Sequence, residues 1–399
     1  MARGVTTLLP VAEAQARLIA LARPLPTETV PLVEANGRWT AEAVLACRTQ
    51  PFADLSAMDG YAIRFAEAPG PWTVAAESKA GSTLPAPIGP GEACRIFTGA
   101  PMPPGADVVL IQEDAARDGN RLVMIGDGPG RAGKHIRERG TDFLEGDLLI
   151  AAGEHMTSAH VALAAAGGHG SITVRRPARV ALISTGDELI TPGITGRPHQ
   201  LPSSNAPMLA TLLGRPGAIV TELGIAPDRL DAIREMIERA RDADLIITTG
   251  GASVGDHDLV KPALEACGAT LDFWKVAMRP GKPLMAGTLG NSIVLGLPGN
   301  PLSAFVTASL FARPLIAALG GATRPFAPIR RAQLAEGLAA NGDREHYVRG
   351  MWREDGIVAL DGQDSAMLTN LTRADLFIVR RAKAPPARAG DIVEIIDIA

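Results

Sequence analysis

The sequence predicts an α/β domain with a doubly wound, mostly parallel sheet, set among small mainly-β domains in a multidomain chain. Three observations carry that expectation. From Pro177 short apolar runs alternate with amphipathic helical patterns, the signature of a parallel sheet covered on both faces. On either side of that region the alternation gives way to short strands between Gly/Pro turns. The length of 399 residues exceeds what one hydrophobic core supports and leaves room for about two to four domains.

Residues up to about Arg23 read as an amphipathic helix with Pro10 at its start, where a missing N–H costs nothing. The pair Asp59-Gly60 has the composition of a tight turn. Beyond Trp72, runs such as 108–112 and 122–125 make a small β-module. In the α/β region strands are expected at 178–184, 218–225, 245–249, 270–276, 283–287 and 292–296. Helices are expected at 207–213, 230–241, 259–267 and, long and apolar, at 301–319. Strands at 345–352, 357–360, 376–380 and 392–398 form a second β-domain. The expected domains are 1–44 with 141–176 as a discontinuous N-terminal or linking domain, 45–140 as a β-rich domain, 177–325 as the α/β domain and 326–399 as the C-terminal β-domain.

Composition excludes several classes. A formal net charge of -4 argues against a nucleic-acid partner, which would meet a basic face. Cys47, Cys94 and Cys267 are odd in number and form no Cys-x-x-Cys, so neither a disulfide framework nor a zinc site is expected and a reducing compartment fits. No apolar run approaches the roughly 18 residues of a membrane span. Glu13 and Arg17 interrupt the first helix where an export signal is apolar, so a cytoplasmic location is expected.

The chemistry should sit at the carboxyl ends of the strands, where loop glycines and helix N-termini gather. Three loops fall there: Ser184-Thr185-Gly186-Asp187-Glu188, the run from Thr249 to Asp258, and Gly296 through Pro298, Gly299 and Asn300 to Pro301. The second interleaves Gly250, Gly251 and Gly255 with hydroxyls, Ser253 among them, and ends on Asp256 and Asp258. Glycine N–H groups can form an anion nest, and carboxylates beside one repel a phosphate unless a hard cation intervenes. Asp187, Glu188, Asp256 and Asp258 are therefore expected to hold Mg²⁺, with helix capping as the plainer alternative. Lys275, Arg279 and Lys282 suit an oxyanion or phosphate, or else form a solvated face.

Competing motifs fail. No G-x-x-x-x-G-K-[ST] occurs, and the G-x-G-x-x-G spacing at Gly128 to Gly133 contains Pro129 and precedes no helix. Gly251 to Gly255 matches the nucleophile elbow G-x-S-x-G, but neither His257 nor His346 is placed in sequence to serve Ser253. His155, His160 and His169 match no metal-ligand spacing.

Seven motifs occur in order: Ser56-Ala-Met-Asp-Gly-Tyr-Ala62, Phe97-Thr-Gly-Ala-Pro-Met-Pro103, Ile136-Arg-Glu-Arg-Gly-Thr-Asp142, Ser184-Thr-Gly-Asp-Glu-Leu189, the Thr249 to Asp258 loop, Arg279-Pro-Gly-Lys-Pro283 and Gly296-Leu-Pro-Gly-Asn-Pro301. Together, over nearly the whole chain, they resemble the MoeA family of molybdopterin molybdenumtransferases, to which the gephyrin E domain belongs. The resemblance implies an elongated homodimer of four-domain subunits with the α/β domain as the catalytic one. It also implies the reaction: molybdate enters the dithiolene of adenylylated molybdopterin, and Mg²⁺-dependent cleavage releases AMP.

By position it implies metal and substrate roles for Glu188, Asp228 and Asp258, with Pro298 and Pro301 shaping the third loop. Asp59, Thr98, Arg137 and Asp142 belong to the β-module that, in the family, faces the catalytic domain across the dimer. The expected catalytic set is thus Asp59, Asp142, Glu188, Asp228 and Asp258. The chain departs from the family at Thr249 and Ala252, where Ser and Val are usual, and at Ser203-Ser204-Asn205, where Asp-Ser-Asn is usual and a carboxylate is lost. A non-catalytic dimeric scaffold, or a serine hydrolase at Ser253, are the alternatives.

Overall fold

The computed structural model describes residues 8–215, 217–250 and 259–398. The chain divides into two compact units, one of residues 1–42, 152–157 and 173–399, the other of residues 43–151 and 158–172.

The larger unit is organised on a six-stranded sheet of β1 (Ala178–Thr185), β2 (Ala218–Ala226), β3 (Leu245–Thr249), β4 (Thr270–Lys275), β5 (Pro283–Leu289) and β6 (Ser292–Leu297). Their spatial order is β2-β1-β3-β6-β5-β4. The first four neighbours pair in parallel, and only β5 runs against both of its neighbours. β3 is buried at every position, as an uninterrupted Leu-Ile-Ile-Thr-Thr requires of a central strand.

The covering helices are α1 (Val11–Ile19), α2 (Asn205–Leu213), α3 (Leu230–Arg239), α4 (Val260–Ala266) and α5 (Pro301–Leu319). Successive strand residues point to opposite faces. Accordingly Leu182, Ile247 and Leu295 join a core with α1, α2 and α5, while Ile183, Ile246 and Val294 join another with α3 and α4. The sheet is doubly wound, as expected. α5 is long and apolar enough to cross a membrane but is a buried core helix, interrupted by a π-turn at Ala308–Ala312.

The C-terminal sheet of the same unit contains Arg330–Gln333, Glu345–Arg353, Gly356–Ala359, Leu376–Arg380 and Ile392–Asp397. Its Tyr347, Phe377 and Val379 pack into the core that holds α5. The strand Arg330–Gln333 was not expected. Nor was the parallel pairing of Met278–Arg279 with Glu345 and His346, which makes part of the basic run a short strand.

The smaller unit carries a six-stranded sheet in the order Val108–Ile111, Gly60–Ile63, Glu92–Ile96, Trp72–Ser78, Arg121–Met124, Ala115–Asp118. Gly60 corrects the tight-turn reading of the Asp-Gly pair. It opens a strand, and a Cβ there would fall 2.1 Å from the Leu110 oxygen, so the neighbouring strand is what demands glycine. The Ala-rich stretch holding His160 is a helix, Ser158–Ala166, which its lack of an amphipathic stripe concealed.

Candidate active site

β1, β3 and β6 are adjacent, with Ser184 beside Thr249 and Thr249 beside Leu297. The three glycine loops therefore leave the sheet side by side. Gly250 has φ +93, and a Cβ there would lie 2.8 Å from the Thr185 carbonyl oxygen. A Cβ on Gly299 would lie 3.5 Å from the Gly250 Cα. Glycine is what lets these backbones approach so closely. Asn205, at the start of α2, ties in the third loop by donating from Nδ2 to the Gly299 oxygen at 2.8 Å. Beneath lies a buried hydroxyl cluster: Ser184 Oγ is 3.3 Å from Thr249 Oγ1 and 3.4 Å from Ser203 Oγ.

Thr185, Glu188, Asn205, Gly250, Gly299 and Pro301 line one cavity of about 190 Å³. The exposed Glu188 carboxylate curls back over Gly186, where a Cβ would meet Glu188 Oε2 at 2.6 Å. Asp187 and Asp228 join the first loop to the one after β2. The Asp228 N–H donates to Asp187 Oδ1 at 3.0 Å and the Asp187 N–H to Asp228 Oδ2 at 3.4 Å. Pro298, within the third loop, is buried. Asn205 Oδ1, Asn300 Oδ1 and Thr248 Oγ1 are buried without a hydrogen-bond partner. Of these only Asn205 lines the cavity, and an open acceptor there is a group that a ligand can complete.

β4 points the same way as β1, β3 and β6, so Lys275 ends at the same rim, two strands beyond β6. The Val276 N–H donates to the Lys282 oxygen at 2.8 Å, closing a turn that contains Arg279 and Lys282 and follows directly on Lys275. Arg279 lies beside His346. Burial first, then the charges of Arg279, Arg344 and Arg349, push that imidazole down to about 4, which keeps it neutral at ordinary pH.

Gly251, Ser253, Gly255, Asp256 and Asp258 lie outside the described residues. Among the described residues no three acidic, His or Cys side chains are grouped to hold a metal. Mg²⁺, however, is commonly held by one or two carboxylates with substrate phosphates, and the exposed oxygens of Glu188 and Asp187 suit that chemistry.

In the smaller unit Asp59 and Thr98 come together across neighbouring strand ends. Asp59 Oδ1 accepts from the Thr98 N–H at 2.7 Å and from its hydroxyl at 2.8 Å. These bonds, with the charge of Arg95, hold the Asp59 carboxyl below the usual range. Arg137 pairs with Leu55 in a short ladder and its side chain is exposed. Asp142 is exposed, and its N–H donates to the Gln50 oxygen at 3.1 Å. In the sequence, Ser203-Ser204-Asn205 is a departure from the family that puts a ligand-contact role there in doubt; the contacts of Asn205, which opens α2, and of Ser203, two residues before it, come from the structure.

Family models match the chain in three successive regions: the MoeA N-terminal region (domain I and II) over residues 9–168, a probable molybdopterin binding domain over 181–318 and the MoeA C-terminal region (domain IV) over 331–398. A molybdopterin molybdenumtransferase of Nostoc sp. is 38% identical over 370 residues, covering 88% of this chain and 84% of its own length. One from Haemophilus influenzae is 33% identical over 398 residues, covering 97% and 98%. The crystal structure of a molybdopterin biosynthesis MoeA protein from Pyrococcus horikoshii matches with a TM-score of 0.83 at 25% identity, covering 98% of this chain and 100% of that one. With all three regions matched in order and relatives this similar along most of its length, the chain belongs to the MoeA family of molybdopterin molybdenumtransferases, enzymes of molybdenum cofactor biosynthesis.

Proposed function

We propose that this enzyme inserts molybdate into adenylylated molybdopterin with Mg²⁺-dependent release of AMP, acting as a homodimer. The observation that supports this best is the meeting of Thr185, Glu188, Gly250 and Gly299 around one cavity at the carboxyl rim. A phosphoanhydride needs donors close to its oxygens and a countercharge. The glycine loops offer backbone N–H groups at close approach. Lys275 and Lys282, at the same rim, suit the incoming oxyanion.

Glu188 and Asp187, with Asp256 and Asp258 of the second loop, are the residues that would hold Mg²⁺. When bound, the ion neutralises charge on the diphosphate and its bridging oxygen. The chain's own groups do the rest. Asn205 fixes the third loop, and the Asp187–Asp228 exchange fixes the first. Asp59, kept ionised by Thr98, is read as a further participant in substrate handling. No covalent nucleophile is required: an oxygen of water or molybdate attacks the anhydride, which separates AMP from molybdopterin.

The test is to incubate the full chain with adenylylated molybdopterin, molybdate and Mg²⁺. AMP is followed by chromatography, and the cofactor by reconstitution of a molybdenum-free apoenzyme. AMP and active cofactor should appear together and only when Mg²⁺ is present. Tight binding of the substrate with no turnover under these conditions would favour the scaffold reading instead.

A further inference from the structure

A second cavity, of about 280 Å³, lies at the other rim of the same sheet. It opens where β2 begins, at Ala218, and at the far ends of the two helices that start near the candidate site. α2 covers nine residues, roughly 13 Å, between Asn205 and Leu213. Along α5, Ile316 lies 15 residues beyond Pro301, roughly 22 Å. The two cavities are therefore separate places in the unit.

The walls are apolar, built from Trp39, Ile316 and Phe377, with Phe326 at the mouth, 43% exposed. Two guanidiniums reach the cavity, that of the exposed Arg215 and that of the partly buried Arg313. Burial and the charge of Arg215 both push Arg313 below the usual guanidinium range, so two like charges share one half-dry wall. Arg324 adds a third cation at the rim, 3.8 Å from Glu154. Among the described residues the one carboxylate in the lining, Asp397, already accepts from Arg330 at 2.9 Å. The cavity thus offers apolar volume and positive charge together. That combination fits a ligand whose body is apolar and whose one polar end is an anion.

We propose that this cavity binds a small organic anion, an aromatic or compact branched body bearing one carboxylate or sulfonate, with the anionic group against Arg215 and Arg313. The volume is at the small end for ligand sites, which limits the body to about one or two rings. Neither arginine belongs to the machinery assigned above.

The probe is 1-anilinonaphthalene-8-sulfonate, titrated into the full chain and read by fluorescence, with its neutral parent N-phenyl-1-naphthylamine as control. The sulfonate should bind saturably at one site per chain and more tightly than the neutral probe. Arg215→Met should weaken the sulfonate roughly tenfold, the size of one charge-assisted contact, and leave the neutral probe unchanged. Arg215→Lys should recover part of the loss. Phe326→Ala should weaken both probes alike, and AMP release should be unaffected in Arg215→Met. Equal affinity for the two probes, or sulfonate binding indifferent to Arg215→Met, would overturn the assignment. So would sedimentation showing that the sulfonate dissociates copies of the chain, since a second copy would then be the natural occupant.

Discussion

The two rims of the larger unit's central sheet treat their polar groups in opposite ways. At the amino rim Arg176 forks onto Asp244 with both N···O distances 2.7 Å, and the Arg179 N–H adds a bond at 2.8 Å. That carboxylate is fully engaged by its own chain. At the carboxyl rim the Glu188 carboxylate is exposed, and the amide oxygens of Asn205 and Asn300 are buried with nothing to accept from. A buried polar atom without a partner is costly, so a fold tolerates several in one place only where something else satisfies them. Around Asp244 the amino rim is tied together by the chain's own groups, whereas the carboxyl rim keeps an exposed carboxylate and unpaired amide oxygens.

The largest effect that would sharpen this contrast is at Glu188. Glu188→Ala should lower the rate of AMP release on the order of 10² to 10³-fold, about 3–4 kcal/mol of barrier, as loss of an electrostatic contact at the reacting group does. Its unfolding free energy should stay within about 0.5 kcal/mol of the parent, since the side chain is exposed. Full activity in this variant, measured at saturating Mg²⁺, would remove the metal assignment.

Asp244 should behave in the reverse manner. Asp244→Ala leaves Arg176 without its partner and should cost about 3 kcal/mol in denaturant unfolding, the low end for a broken buried pair because Arg176 is partly exposed. Activity per folded molecule should be retained. Burial works to raise the Asp244 carboxyl, but the Arg176 fork and the Arg179 N–H outweigh it and hold the group below its ordinary value. A group depressed in the folded state stabilises above its unfolded pKa, near 3.9, and loses that contribution as pH falls through the folded value. The parent should therefore lose more stability than Asp244→Asn on going from about pH 5 to pH 2. Parallel acid limbs in the two proteins would break the contrast.

Gly250 lies between these extremes, because its effect is on shape and then on chemistry. Gly250→Ala meets the Thr185 oxygen at 2.8 Å with φ at +93, and about 2 kcal/mol of destabilisation is expected together with a tens-fold loss of activity. Gly290 is the control. It also has positive φ, +60, but nothing within 4 Å of a Cβ, so Gly290→Ala should cost only about 1 kcal/mol in unfolding and leave AMP release alone.

How much of this was legible beforehand follows from what is local. β3 and the glycines after it could be read because a short apolar run ending in glycine is complete within one stretch of chain. The Arg176–Asp244 fork could not: its partners are 68 residues apart and meet only once β1 and β3 pair in register. The pairing of Met278–Arg279 with Glu345 and His346 was hidden for the same reason. Gly60 misled because the crowding that requires it comes from Leu110, fifty residues on, while its own neighbours spell a turn. At the candidate site, the loops were visible as compositions, but the lash from Asn205 to Gly299 depends on α2 starting beside the third loop.

That lash gives the smallest and most discriminating prediction. Asn205 Nδ2 donates to Gly299 while Oδ1, on the same amide and nearly buried, has no partner. If the residue were only a clamp, Asn205→Ala would lose one hydrogen bond of about 1 kcal/mol and regain part of it by removing an unsatisfied oxygen. Unfolding would then change little, and KM not at all. If Oδ1 is kept for a donor on the substrate, Asn205→Ala leaves that donor unpaired, and KM should rise several-fold, with kcat within about threefold of the parent. Asn205→Asp separates the two halves of the amide. It keeps an acceptor for the substrate and sets a carboxylate oxygen against the Gly299 carbonyl, so stability should fall by more than in Asn205→Ala while KM suffers less. A KM unmoved in both variants would make the open oxygen a cost of the fold rather than a contact held for the ligand.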